Sequence, residues 1–429
     1  MIVGADLRAA RRDAGLSLGQ LAARTGVSAG HLSRVERGDR EVTPSLVLHY
    51  QTALGPAATA LAALLDSDTG APEKGTVDDM KRRGLLSVIA AASMGVAAGE
   101  PVTRLLDGLA GDLPTRVGLP EVHAVEAAAD LYMRMDLARG GDAAIAMARG
   151  TLEWAVKLHD RPMAEPTRER LSSAVGLLAD RLGWATYDQG RAERAARILT
   201  FALDSAARGA DRDLRAHTML DLSVTLTDLG SPRDGVEILR LALGDERISS
   251  AERANLHAVA ARHCATAGDR AAGLRHIGLA EEALGRAEPA LAPDWAHHIT
   301  VAPGHHDSAL GLALFQLGED ARARDHLTAA LGRLGESRTR TGLRCLIRLA
   351  VLRVREGDRD AGAEQARRAV ALAAEVRSTR VAGDLRMMVD GVRACGMTDL
   401  ARELARSLPS SDRPAVRPVT ATPESASLA

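Results

Sequence analysis

The residues best suited to do chemistry stand close to the N-terminus. Between Ser28 and Arg40 the chain carries Ser28, Ala29, Gly30, Ser33, Arg34, Arg37 and Arg40, interleaved with apolar Leu32 and Val35. On a helix starting at Ser28, Leu32 and Val35 turn inward and leave the small and basic residues outward. Small side chains allow close backbone approach. Hydroxyl and guanidinium groups suit phosphate oxygens and the edge of guanine, so this face implies contact with duplex DNA. A second, scattered set carries polar and aromatic chemistry: Asp180, Trp184, Tyr187, His217, Asn255, Arg262, Phe315, Gln316, Arg344 and Arg355. Those types suit an organic ligand, with rings for apolar contact, Asn for hydrogen bonds to an extended backbone and Arg for carboxylates.

Other chemistry finds little support. His297-His298 and His305-His306 invite a metal, but adjacent helical residues point about 100° apart. No acidic or cysteine ligand is regularly spaced with them, so solvent-facing histidines in an insertion are expected. Cys264, Cys345 and Cys395 are odd in number and far apart, with no C-x-x-C pair, which excludes a disulfide framework and a cysteine zinc site. The chain has no P-loop, no G-x-S-x-G and no H-E-x-x-H, so neither catalysis nor a cofactor is expected. The net charge of −1 rules out a whole-chain basic field. Residues 1–66 are also nearly balanced, with seven Arg against six Asp or Glu. DNA affinity must therefore come from a few placed arginines, doubled by dimerisation.

The elements that position the first set can be read directly. Ser17 with Gln20 makes a capping box for a helix over Leu18–Thr25. Gly26 supplies a tight turn, Ser28 caps a third helix, and Gly38 stops it. Thr43-Pro44 opens a fourth helix, and Gly55-Pro56 separates it from a fifth. Ala22 is small where two helices cross, and Leu21, Val27, Leu32 and Val35 fill the angle between them. From Leu7 to Gly38 the stretch L-x-x-x-R-x-x-x-G-L-S-L-G-Q-L-A-A-R-T-G-V-S-A-G-H-L-S-R-V-E-R-G resembles the Xre/phage-repressor family of helix-turn-helix domains. That resemblance implies a fold-holding pair between Arg11 and Glu36. Members commonly place Gln at the start of the second helix to touch DNA; this chain has Leu18 there.

Beyond about residue 119 the chain repeats. Turn glycines recur at Gly141, Gly190, Gly230, Gly268, Gly318, Gly357 and Gly396. Small residues follow five positions later, Ala recurs twelve later, and Gly183, Ser223, Ala261, Gly311 and Ala350 stand seven before. Small residues in such register mark the close approaches within and between stacked helical hairpins. Spacings of about forty residues, longer before Gly190 and Gly318, imply elongated hairpins with two insertions. The pattern resembles tetratricopeptide repeats, which curl so that the first helix of each hairpin lines the inner surface. The second set of residues above takes its inward assignment from this offset, although Trp184 and Tyr187 could equally plug the core between hairpins.

The expected fold is all-α: a five-helix helix-turn-helix domain (1–66), a flexible linker (67–80), a helical connector (81–118), a right-handed superhelical array of TPR-like hairpins (119–408) and a disordered tail (409–429). Lys81-Arg82-Arg83 followed by an Ala/Val-rich run imitates an export leader. Its apolar run is shorter than the ~20 residues of a spanning helix, so a dimer-forming or buried helix and a cytoplasmic chain are expected. Helix-turn-helix plus array resembles the peptide-sensing regulators of Gram-positive bacteria and related actinobacterial regulators. The resemblance implies a homodimeric repressor-like transcription factor on a double-stranded DNA operator, with a peptide or small-molecule effector and no membrane association. The alternative is an adaptor whose array docks a partner protein while the helix-turn-helix only localises it.

Overall fold

The computed structural model describes residues 4–13, 16–25, 27–40, 46, 113–139, 142–335, 338–374, 376 and 378–408. Every element among them is helical. The chain divides into two compact units. The first holds Met1–Asp136, Asp142–Tyr187 and Glu193–Leu222, the second Leu137–Gly141, Asp188–Ala192 and Ser223–Ala429.

The N-terminal helices are α1 (Gly4–Asp13), α2 (Leu18–Thr25) and α3 (Ala29–Glu36). Leu7, Leu21, Leu32, Val35 and Leu46 form their buried cluster, with Leu18, Ala22 and Val27 packed against it. The capping box is formed: Ser17 N donates to Gln20 Oε1 at 2.9 Å, and Gln20 N to Ser17 Oγ at 3.2 Å. Ser28 Oγ caps α3 by accepting from His31 N at 3.3 Å. α1 and α3 touch backbone to backbone, since a Cβ on Gly4 would lie 1.9 Å from the Val35 carbonyl oxygen. The expected fourth and fifth helices, apart from Leu46, lie outside the described residues. So do the linker, most of the connector with its arginine-led segment, and the tail.

The hairpins follow in order: α4 (Leu119–Arg139) with α5 (Asp142–Leu158), α6 (Glu165–Asp188) with α7 (Ala192–Arg208), α8 (Arg212–Asp228) with α9 (Pro232–Leu243), and α10 (Ser250–Thr266) with α11 (Arg270–Gly285). After them come α12 (His305–Leu317) with α13 (Asp320–Arg333), α14 (Thr339–Arg355) with α15 (Arg359–Ala373), and α16 (Thr379–Ala394) with α17 (Thr398–Ser407). Gly190, Gly230, Gly268, Gly318, Gly357 and Gly396 all take φ between +76° and +94°, a left-handed turn that other residues rarely adopt. Gly141 lies outside the described residues.

The small residues stand where helices meet. A Cβ on Gly311 would come within 2.7 Å of Leu327 Cγ, and one on Gly362 within 2.5 Å of Val354 Cγ2. Ala202, Ala242, Ala280, Ala330 and Ala369 are all buried. The long step before Gly190 comes from the 24-residue α6. The step before Gly318 holds two 3₁₀ turns, Pro289–Leu291 and Asp294–His298. His297 and His298 are exposed there as expected, but His305 and His306 are half-buried at the start of α12. Cys264 and Cys345 are buried and free, and Cys395 is half-buried. Among the described residues no helix is long and apolar enough to cross a membrane.

One buried imidazole inside the second unit is paired on both ring nitrogens. His263 of α10 is buried between Ser223 Oγ, 3.0 Å from its Nε2, and Thr227 Oγ1, 3.1 Å from its Nδ1. Burial first, then the nearby Arg262, pushes its pKa down to about 3. An unfolded chain would take a proton near pH 6.5 while the folded chain refuses it until far lower pH. Its contribution is therefore complete above about pH 6.5 and declines as pH falls below that, by about 1.4 kcal/mol per pH unit. Urea midpoints should drop between about pH 7 and pH 5, and the drop should shrink in His263→Gln. Equal pH slopes in the two proteins would contradict a neutral, buried His263.

Candidate functional site

The N-terminal face is built on α2 and α3. Arg11 of α1 donates from Nε to Glu36 Oε1 at 2.6 Å, from Nη2 to Glu36 Oε2 at 2.7 Å and from Nη1 to the Leu16 carbonyl at 2.8 Å. Both side chains of the pair are buried. A bidentate, desolvated pair of this kind fixes the end of α3 against α1 and thereby aims the outward face. On that face Ser28, Gly30, Arg34, Arg37 and Arg40 are exposed, and Ala29 and Ser33 are half-buried. Arg37 is oriented from both sides: its Nη1 donates to Ser33 Oγ at 2.8 Å and its Nε to Asp39 Oδ2 at 2.9 Å. Arg34 carries no ion pair among the described residues. Leu18 is half-buried on the core cluster and does not stand outward as a polar contact.

The residues assigned by repeat offset to the inner surface divide into two groups. Asp180, His217 and Asn255 are buried, contrary to the expected solvent-facing placement, and Tyr187 is buried too, the core alternative for that ring. The cause is visible in α10, whose buried residues include Ala254, Asn255, Leu256, Ala258, Val259, Ala260 and Ala261, covering its whole circumference. A first helix clasped on all sides has no free polar stripe. Asn255 Oδ1 is held by His305 Nε2 at 3.0 Å. Trp184 is half-buried, its ring centroid 5.2 Å from that of the buried Tyr187.

The other group reaches the surface of the second unit. Phe315 is half-buried, with the guanidinium of Arg348 5.6 Å and that of Arg355 5.0 Å from its ring centroid. Arg355 is exposed and also pairs with Asp320 at 3.0 Å. Gln316 is exposed and donates to Thr266 Oγ1 at 2.7 Å, one turn along α10 from the half-buried Arg262. Arg344 is not available to a ligand carboxylate: its Nε donates to Asp384 Oδ2 at 2.6 Å, and Arg348 Nη2 donates to Asp384 Oδ1 at 2.8 Å. Burial opposes the charge on Asp384, but the two guanidinium groups outweigh it and hold the carboxyl well below its ordinary range.

One cluster escaped the sequence reading. Asp188, at the end of α6, accepts from Arg340 Nη1 at 2.5 Å, Arg380 Nε at 2.7 Å and Ser378 Oγ at 2.7 Å, and its carbonyl accepts from Thr379 Oγ1 at 3.0 Å. Burial resists its charge, yet Arg380 and Arg340 bring its pKa down to about 2. Partners more than 150 residues apart share no local signal, so only the stacking of hairpins reveals them.

The architecture is thus a helix-turn-helix domain followed in the chain by stacked helical hairpins. A helix-turn-helix domain family model matches residues 2–64. Among curated proteins, none matches the chain. Among solved structures it is similar to a Rap protein complexed with competence and sporulation factor, at 12% identity and a TM-score of 0.44, over 82% of this chain and 92% of that one. It is also similar to the Rap conjugation gene regulator of the plasmid pLS20 in complex with the Phr* peptide. That match has 12% identity and a TM-score of 0.46, over 94% of this chain and 93% of the other.

Proposed function

We propose that the protein is a sequence-specific DNA-binding transcriptional regulator whose hairpin array mediates dimerisation and senses a peptide or small-molecule ligand. The observation that carries the reading is the outward face of α3. A buried Arg11–Glu36 pair holds that helix, and its exposed residues include Arg34 and Arg37. Arg34 lies one to two turns past the helix start, where a side chain of a recognition helix reaches base edges. Arg37, steadied by Ser33 and Asp39, suits a phosphate.

The two arginines should therefore fail differently. Arg34→Ala should cost about 1–3 kcal/mol at the cognate site and relax preference at one base position. Arg37→Ala should weaken all sequences alike and lower the salt slope by about one unit. Selectivity and salt titrations of both variants check this, and identical profiles would overturn the assignment.

A nearly neutral head makes too few phosphate contacts for tight binding alone, so two copies reading half-sites about 34 Å apart are proposed. The full chain should sediment as a dimer under conditions of DNA binding. For the ligand, the support is the half-buried Phe315 ring beside the exposed Gln316, which suits a molecule with an apolar part and hydrogen-bonding groups. Coupling to DNA requires that the ligand favour one arrangement of the array over another.

A further inference from the structure

Asp180, in the middle of α6, and His217 and Asp221, one turn apart on α8, come together in the first unit. Each offers a ligand atom within 4.8 Å of the others, and all three side chains are buried. The spacing of His217 and Asp221 puts both on one face of α8, opposite α6. Arg181 lies beside them, its Nη2 donating to Asp180 Oδ2 and, at 3.3 Å, to Asp221 Oδ2. Burial works against the Arg181 charge, and Asp180 and Asp221 more than offset it, holding the guanidinium above its ordinary value.

This ion pair leaves two buried atoms unanswered, Asp180 Oδ1 and Arg181 Nε. Asp180 is 0% exposed, and its Oδ1 has no hydrogen-bond donor among the described residues. A bare carboxylate oxygen in a dry site is costly, and its natural answers are a buried water or a cation. Two carboxylates and an imidazole converging from two helices make a mixed oxygen–nitrogen ligand set. Ligand atoms of one ion bound at about 2.1 Å stand roughly 3–4 Å apart, a spacing these side chains reach by small rotations. An imidazole in the set favours borderline ions over Mg²⁺ and Ca²⁺, which prefer oxygen alone.

We propose that Asp180, His217 and Asp221 bind one borderline divalent cation of the Zn²⁺–Co²⁺ class, tying α6 to α8. Bound there, the ion bridges the first helices of two successive hairpins one turn from Trp184. The site stands independently of the DNA-binding reading, because neither its residues nor its test involves α1–α3.

The test uses the full-length chain stripped with a chelator and then titrated with Co²⁺ or Zn²⁺. Expected are one equivalent of metal per chain, a visible-range Co²⁺ spectrum showing nitrogen and oxygen ligation, and a rise in melting temperature on adding Zn²⁺. Mg²⁺ should produce none of these. Asp180→Asn and His217→Gln should each weaken Co²⁺ binding on the order of 100-fold. His298→Ala should leave it unchanged, separating this site from the surface histidines. A stripped wild-type chain that gains neither stoichiometric metal nor thermal stability would overturn the proposal, even if Asp180→Asn fails to fold. Binding retained in Asp180→Asn but lost in His298→Ala would overturn it equally.

Discussion

Glu36→Ala should unfold the N-terminal helices while leaving the hairpin array folded. The substitution strips the buried Arg11 guanidinium of both these carboxylate bonds, at 2.6 and 2.7 Å. Removing one partner of a buried ion pair costs about 3–5 kcal/mol. That is comparable to the whole stability of a core as small as Leu7, Leu21, Leu32, Val35 and Leu46 with its neighbours. Asp39→Ala makes the contrast, since its pair with Arg37 is about half exposed on both sides and is worth less than about 1 kcal/mol. Hydrogen exchange on the full chain reads this directly: α1–α3 should lose protection in Glu36→Ala and keep it in Asp39→Ala. A paired replacement, Arg11→Met with Glu36→Leu, should recover much of the loss, because an apolar pair of similar volume carries no buried charge. Unchanged protection in Glu36→Ala would show that the pair does not hold the domain.

Asp384→Ala should act as strongly at the other end of the chain. Asp384 on α16 is the shared carboxylate of Arg344 and Arg348 on α14, with the side chains of all three about nine-tenths buried. Its loss leaves two guanidinium groups facing one another beside Leu343, Ile347 and Val351 of the same core. A cost of about 3–5 kcal/mol is expected. In a stacked array stability is largely a sum over neighbours, so the damage should be local. Limited proteolysis should cut α16 and α17 first, with α1–α3 exchange unaffected. Arg348 also lies over Phe315, so the same variant should loosen the proposed ligand surface. Cleavage spread evenly over the chain would contradict a local role.

What was legible in the sequence is what local chemistry dictates. The capping box at Ser17 and Gln20, the cap at Ser28 and the inward Leu32 and Val35 each depend on residues within a turn or two, and all are formed. The turn glycines were legible because a left-handed turn at fixed phase admits little else. The facing of the first helices was not. Offset from a turn assigns a side chain to one side of a helix, but α10 is covered all round, so Asn255 goes into the interior with His305. Clusters joined across distant hairpins, such as Asp188 with Arg340 and Arg380, leave no periodic trace. Each partner alone reads as an ordinary charged residue.

Selection of bound sequences from random duplex DNA, run in parallel with full-length wild type and Arg34→Ala, tests the central claim most directly. Expected from wild type is an enriched motif of two half-sites about one helical turn apart, and from the variant the same motif with one position per half-site relaxed. No enrichment from wild type, with the domain folded by hydrogen exchange, would contradict DNA recognition and leave the array as a docking scaffold. An identical motif from both proteins would remove Arg34 from the reading face.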